Sequence, residues 1–222
     1  MELGEYLPFW KKLTEAEQMT LAGSVQSRRF EKVQVLHHGS DECTELILTL
    51  NGQLRVYTIS DEGKELTLYR LLERDLCIFS APCMVKSILF DVIVEAEQDT
   101  EILHIPVDVY RDLMDNSAAV ANYTNGLMAE RFSDVMWLMD QVLNKKIDSR
   151  LAAFLLEESG LDDSRKLSIT HDQIARHMGT AREVITRMLK AFQADGLVKL
   201  NRGGIELLNE KRLTELAADS LR

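Results

Sequence analysis

Arg182, Glu183, Thr186 and Arg187 stand at i, i+1, i+4 and i+5 in the stretch "TAREVITRMLK". On an α-helix that spacing puts Arg182 and Glu183 in the first turn and Thr186 and Arg187 one turn later, with Ile185, Met188 and Leu189 as the apolar positions. A planar guanidinium can bind guanine O6 and N7 together, a carboxylate can accept from cytosine N4, and a hydroxyl can do either. The chemistry on offer is therefore the reading of base edges. Each good pairing discriminates by roughly 1–3 kcal/mol.

Such a set needs a helix that projects from its domain, and the flanking residues describe one. Thr170 precedes Gln173 by three residues, and Thr180 precedes Glu183 by three. Both pairs have capping-box spacing, in which the hydroxyl and the later side chain satisfy backbone donors at a helix start. They predict two helix starts ten residues apart, with Gly179 between them to end the first helix in a left-handed conformation. Ala175 allows close approach, and Ile174, Met178, Ile185, Met188 and Leu189 hold the pair together. A short helix, a glycine turn and a second helix form a helix-turn-helix, whose second helix enters the major groove. Glu183 has a competing role as the back-reaching half of its cap. Downstream, "GLVKLNRGGIELL" predicts two short strands around Asn201 to Gly204, a wing that places Lys199 and Arg202 for phosphates. Thr170 and Thr180 complete the candidate DNA-binding set.

Charge supports a polyanion partner at one end only. The chain of 222 residues carries a net charge of −10, yet residues 165–204 hold 8 basic and 3 acidic side chains. Residues 144–222 hold 14 basic and 12 acidic side chains, so the acidic excess lies upstream. No apolar run approaches the roughly 20 residues of a membrane-spanning helix, and "MELGEYLPFWKKL" lacks the form of a secretion leader. Cys43, Cys77 and Cys83 are too few and too odd in number for a disulfide scaffold. A cytoplasmic protein with reduced thiols is expected.

Residues from about 30 to 107 read as short strands, with turns at Asn51-Gly52 and Asp61-Glu62-Gly63 and with Val92, Val94 and Ala96 on one face. This pattern indicates a barrel, roll or sandwich, with one or two short helices from residues 3–29 outside it. From Pro106 to Lys146 the chain has no further proline and one glycine. There Met128, Phe132, Val135, Met139 and Val142 form a heptad seam on which two helices can pair.

At this level the chain resembles the CRP/FNR family of bacterial transcription factors. The most specific residues are "QIARHMGTAREVITRMLKAFQADGLV", in which Arg182, Glu183 and Arg187 match the family's base-reading arginine, glutamate and arginine. The resemblance implies an α+β chain in three parts. Residues 1–107 form a double-stranded β-helix (β-roll or jelly-roll) sensor of cyclic-nucleotide-binding type, 108–146 a long dimerisation helix, and 147–222 a winged helix-turn-helix. It further implies a homodimer on a two-fold-related double-stranded DNA operator, and contact with RNA polymerase.

The expected effector is a small molecule or a redox or gas signal. Cyclic-nucleotide members use a Gly-Glu pair and a downstream arginine, whereas "LERDLCIFSAPCMVKSILFDVIV" has no Gly-Glu and no arginine between Arg74 and Arg111. Without a guanidinium fork a buried phosphate loses its best partner, which argues against a cyclic nucleotide. Three cysteines argue against a four-cysteine iron–sulfur cluster. "DLCIFSAPC" resembles the region where the carbon-monoxide-sensing haem members of the family place a ligating cysteine and a histidine two residues later, so haem through Cys77 stays open, although Phe79 stands at the histidine position and His37, His38 or His104 would have to substitute. A Cys77/Cys83 thiol switch is a further reading. The candidate effector pocket comprises Cys77, Phe79, Cys83, Leu127, Met128 and Phe132. Adjacent His37 and His38 point to opposite faces of a strand, which disfavours a metal site. Two rivals to a regulator without catalytic activity are a metal-dependent cupin-like β-barrel enzyme with a DNA-binding tail, and a dimeric protein-interaction module.

Overall fold

A computed structural model of the chain describes residues 3–39, 45–78 and 92–221. They divide into two compact units, Met1–Thr58 with Leu68–Val135 and Ile59–Thr67 with Met136–Arg222.

From residue 26 the strands run β1 (Gln26–Phe30), β2 (Val35–His38), β3 (Glu45–Asn51), β4 (Leu54–Ile59), β5 (Glu65–Leu71), β6 (Leu76–Cys77), β7 (Ile93–Ala96) and β8 (Thr100–Pro106). They form two four-stranded sheets, ordered β1-β8-β3-β6 and β2-β7-β4-β5. β8 pairs antiparallel with β1 and β3, and β7 with β2 and β4. The period-2 alternation of β3 sorts its side chains between two cores. Ile47 joins Leu54, Val56, Val94 and Ala96 in one core, and Leu46, Leu48 and Leu50 join Leu103 and Ile105 in the other.

The predicted turn at Asn51-Gly52 is present, but it crosses from one sheet to the other rather than closing a hairpin, because β3 and β4 belong to different sheets. Glycine is required there. Its φ is +85°, and a Cβ would lie 2.5 Å from Thr100 Oγ1 and 2.7 Å from the Asp99 carbonyl oxygen.

The second of those cores is completed by helices. Two 3-10 turns, Leu3–Glu5 and Trp10–Lys12, precede α1 (Glu15–Ser24), which starts on a complete capping box of Thr14 and Glu17. Phe9, Leu21, Tyr110, Leu113, Val120 and Leu127 are buried with the leucines of β3. Each such side chain contributes about 1.5–3 kcal/mol on burial. The Tyr110 and Thr124 hydroxyls, both buried, share a hydrogen bond of 2.9 Å.

The run read as one long helix is two, α2 (Val107–Asn116) and α3 (Ala118–Asn144), because Ser117 is extended at φ −120°, ψ 111°. The break falls at Asp115-Asn116-Ser117, residue types that favour helix caps, and the Ser117 carbonyl accepts from the Ala121 amide at 3.0 Å. α3 remains long enough, at 27 residues, to carry the whole predicted seam.

The second unit comprises α4 (Ile147–Leu161), β9 (Lys166–Leu167), α5 (His171–Met178), α6 (Arg182–Ala194), β10 (Val198–Asn201), β11 (Gly204–Leu207) and α7 (Glu210–Ala217). Ile174, Ala175, Met178, Ile185, Leu189 and Phe192 share a core with Leu151 and Leu155 of α4, Val198 and Ile205 of the wing, and Leu213 of α7. β10 and β11 pair from Val198↔Leu207 to Asn201↔Gly204, which puts Arg202 and Gly203 (φ +91°) at the hairpin tip. A third strand, β9, extends the wing on the β11 side. Among the described residues, no helix is long and apolar enough to cross a membrane.

Candidate nucleic-acid interface

α5 begins as the sequence predicts. Thr170 Oγ1 accepts from the Gln173 amide at 3.2 Å, and Gln173 Oε1 accepts from the Thr170 amide at 2.8 Å. It ends on Gly179 in the left-handed conformation at φ 66°, ψ 35°.

The second predicted capping box does not form. α6 starts one residue later, at Arg182, and its N-cap is Ala181, which offers no side-chain acceptor. The cause lies in the preceding turn. The amides of both Gly179 and Thr180 donate to the Ala175 carbonyl, the latter at 3.0 Å, so Thr180 is engaged in closing α5. The backbone carbonyl of Ala181 then accepts from Val184 at 3.0 Å and Ile185 at 3.3 Å. Glu183 is thereby released from its capping role.

α6 has two faces. Ile185, Leu189 and Phe192 are buried, while Arg182, Glu183, Arg187 and Lys190 are exposed and, with half-buried Thr186, line one open groove. Glu183 and Arg187 have the i,i+4 order that favours an ion pair on a helix, yet they form none. On α5, by contrast, Asp172 and Arg176 do pair, at 3.3 Å. Lys199 and Arg202 of the wing are exposed as well. The structure thus brings Arg182, Glu183, Thr186 and Arg187 together on one surface, as their spacing implies.

Two residues of this surface are additions to the sequence reading. Lys190 extends the groove by one turn. His171, the first residue of α5, lies with Nδ1 3.0 Å from Thr186 Oγ1. Nothing local predicts that contact, since it joins residues fifteen apart across the helix-turn-helix angle. Arg150 braces the turn from behind by donating to the Met178 carbonyl at 2.9 Å.

The other candidate residues fall in different places. Along α3, Phe132 (67% exposed), Met139 (48%) and Val142 (44%) present apolar surface to solvent, as do Met136 and Leu143. Val135 is half-buried. Met128 packs at the edge of the core that holds Leu127. Cys77 is sealed in the core between the sheets, beside Ile47, and Phe79, Cys83 and Cys43 lie outside the described residues. His104 pairs with the Glu45 carboxylate, and burial holds its imidazole below the ordinary value. Arg131 sits 4.6 Å over the ring of Tyr69 and donates to Asp134 at 2.8 Å. Burial, together with the neighbouring Cys77 thiol, pushes the Tyr69 phenol well up.

Comparison with known proteins agrees with this architecture. Residues 149–216 match the Crp-like helix-turn-helix domain and residues 27–117 the cyclic nucleotide-binding domain. A crystal structure from Eubacterium rectale of a protein assigned to the CRP/FNR family of transcriptional regulators is 49% identical, covering 96% of this chain and 99% of that one, with a TM-score of 0.93. The chain belongs to the CRP/FNR family. This CRP/FNR regulator is also 26% identical to the fumarate and nitrate reduction regulatory protein of Yersinia pestis, over 96% of its own length and 86% of the relative's. It is 23% identical to the transcriptional activator protein anr of Pseudomonas aeruginosa, over 88% and 82%. Membership makes the chain a DNA-binding transcriptional regulator and not an enzyme, so neither the cupin-like enzyme nor the protein-interaction module describes it.

Proposed function

We propose that α6 reads an operator half-site through Arg182, Glu183, Thr186 and Arg187, with Lys199 and Arg202 of the wing, and Thr170 and Thr180 at the helix-turn-helix, on phosphates. The observation that carries this reading is the contrast on α6. Its apolar face is buried, while its charged face holds an acid and three cations with no ion pair among them. Two chains pair along α3 through the stripe that runs from Met128 to Val142, and present two such helices to half-sites one DNA turn apart. Control by a small effector bound beside Cys77, and contact with RNA polymerase, belong to the same proposal and rest on family membership.

Selection of preferred sites from random duplexes, followed by binding of Arg182→Ala and Arg187→Ala, tests the base-reading assignment. Each substitution is expected to cost about 1–3 kcal/mol per half-site on the selected operator and to flatten preference at one position. Unchanged affinity and preference in both variants would overturn it.

A further inference from the structure

We infer that His171 is a positioning residue for sequence recognition: its Nδ1 contact sets whether the Thr186 hydroxyl donates toward the DNA or only accepts. The inference rests on α6 being the base-reading helix.

The geometry is specific. His171 is the first residue of α5, Thr186 lies on the groove face of α6, and the two meet at 3.0 Å. Thr186 is half-buried, so its one hydrogen has few destinations. When Nδ1 carries no proton it accepts from the hydroxyl, and the Thr186 oxygen can then only accept from a base, such as adenine N6 or cytosine N4. When Nδ1 carries a proton, as it must in the imidazolium, it donates to Oγ1. The hydroxyl hydrogen is then released toward an acceptor, such as guanine O6 or N7, or thymine O4. One proton on His171 therefore exchanges an acceptor for a donor at the DNA surface.

The charged groups around the ring give the direction of the response. Burial, then the cations Arg182 and Lys190 of α6, hold the free imidazole below its ordinary value. On α5 itself, neighbouring Asp172 is paired with Arg176. Phosphates that neutralise Arg182 and Lys190 remove their repulsion and raise the imidazole's affinity for a proton. Binding thus takes up a proton. Operator affinity rises as pH falls from the bound-state value toward the lower free-state value, and is flat outside that window.

The test compares the full-length wild type with His171→Asn, Thr186→Val and Thr186→Ser by site selection and affinity between pH 5.5 and 8. In the wild type, affinity is expected to gain up to roughly tenfold per pH unit per half-site within the window. Preference at one base pair should move toward acceptor bases as pH falls. Thr186→Ser keeps both effects. His171→Asn, which retains a neutral hydrogen-bonding group near the Nδ1 position, loses both. Thr186→Val loses the pH-dependent preference. NMR titration of the wild-type His171 ring, free and operator-bound, is expected to show a higher value when bound, and needs no variant to fold. A pH-dependent preference that persists in His171→Asn, or a ring value unmoved by operator, overturns the inference alone. Unchanged preference in Arg182→Ala and Arg187→Ala overturns the base-reading assignment, and this inference with it.

Discussion

Ala181→Ser should stabilise the protein, while Thr180→Ala should do almost nothing to it. The sequence pattern makes Thr180 the N-cap of α6; the structure gives that position to Ala181, extended at φ −81°, ψ 143° and without a side-chain bond. The N-cap hydroxyl of a serine at 181 would accept from an amide in the first turn of α6, a gain of about 1 kcal/mol and at most about 2. Ala181 is exposed, so the added oxygen meets no packing cost. Thr170→Ala is the calibrating loss, because it removes the hydroxyl that accepts from the Gln173 amide at 3.2 Å at the start of α5, and it should cost about 1 kcal/mol. For a chain of this length, 1 kcal/mol is a shift of about 2–4 °C in Tm. Thermal unfolding followed by circular dichroism should place Ala181→Ser a few degrees above wild type and Thr170→Ala a few below. Thr180→Ala should stay within about 0.5 kcal/mol of wild type, because the α6 cap takes no side-chain hydrogen bond from it. A Thr180→Ala loss equal to that of Thr170→Ala would show that α6 starts on Thr180, and would return Glu183 to its capping role.

Two further outcomes test the interface and the pairing of chains. Operator affinity should fall with salt at a log–log slope of about −0.9 per neutralised phosphate, and Lys199→Ala or Arg202→Ala should each flatten that slope by roughly one phosphate per half-site without changing base preference. A slope untouched by both variants would remove the wing from the interface. Phe132→Asp places a charge on the most exposed seam residue of the predicted set, and sedimentation should then report the 25.3 kDa single chain where the wild type gives twice that mass. Retention of the paired form would show that the seam lies elsewhere.

Local rules made the helix-turn-helix readable in advance. A capping box needs four residues and a left-handed terminus needs one glycine, so α5 and its Gly179 end were legible from 170 to 179. The wing followed from apolar alternation and the Asn201–Gly204 turn. Legibility failed where one residue was claimed by two local patterns. Thr180 fits both the end of α5 and the start of α6, and only the shared Ala175 acceptor decides between them. It failed also where contacts span the fold. Asn51-Gly52 announces a turn, but whether that turn closes a hairpin or carries the chain to a second sheet depends on pairings made with β7 and β8. Likewise Arg131 lies sixty-two residues beyond Tyr69 and reaches it because α3 returns over that part of the unit. The break at Ser117 is marked only by the cap-forming types Asn116 and Ser117, with neither proline nor glycine to stop the helix.

The unpaired charges of α6 gain meaning from their neighbours. Elsewhere in the same unit exposed charges do pair, Asp172 with Arg176 and Arg165 with Glu210. Each such exposed pair contributes only a few tenths of a kcal/mol, so leaving Glu183 and Arg187 apart costs little stability. Closing that pair would cost more in function, because a guanidinium already bound to a carboxylate must break that bond before it can grip guanine, and the acid is withdrawn from cytosine at the same time. Arg187 and Lys190, at i,i+3, repel each other weakly in the free protein, and that repulsion is relieved only when an external anion arrives. The helix is held by Ile185, Leu189 and Phe192, none of which faces the groove. Stability and recognition are therefore carried by separate faces of one element. That separation is what allows the recognition face of α6 to remain unsatisfied until a polyanion supplies its partners.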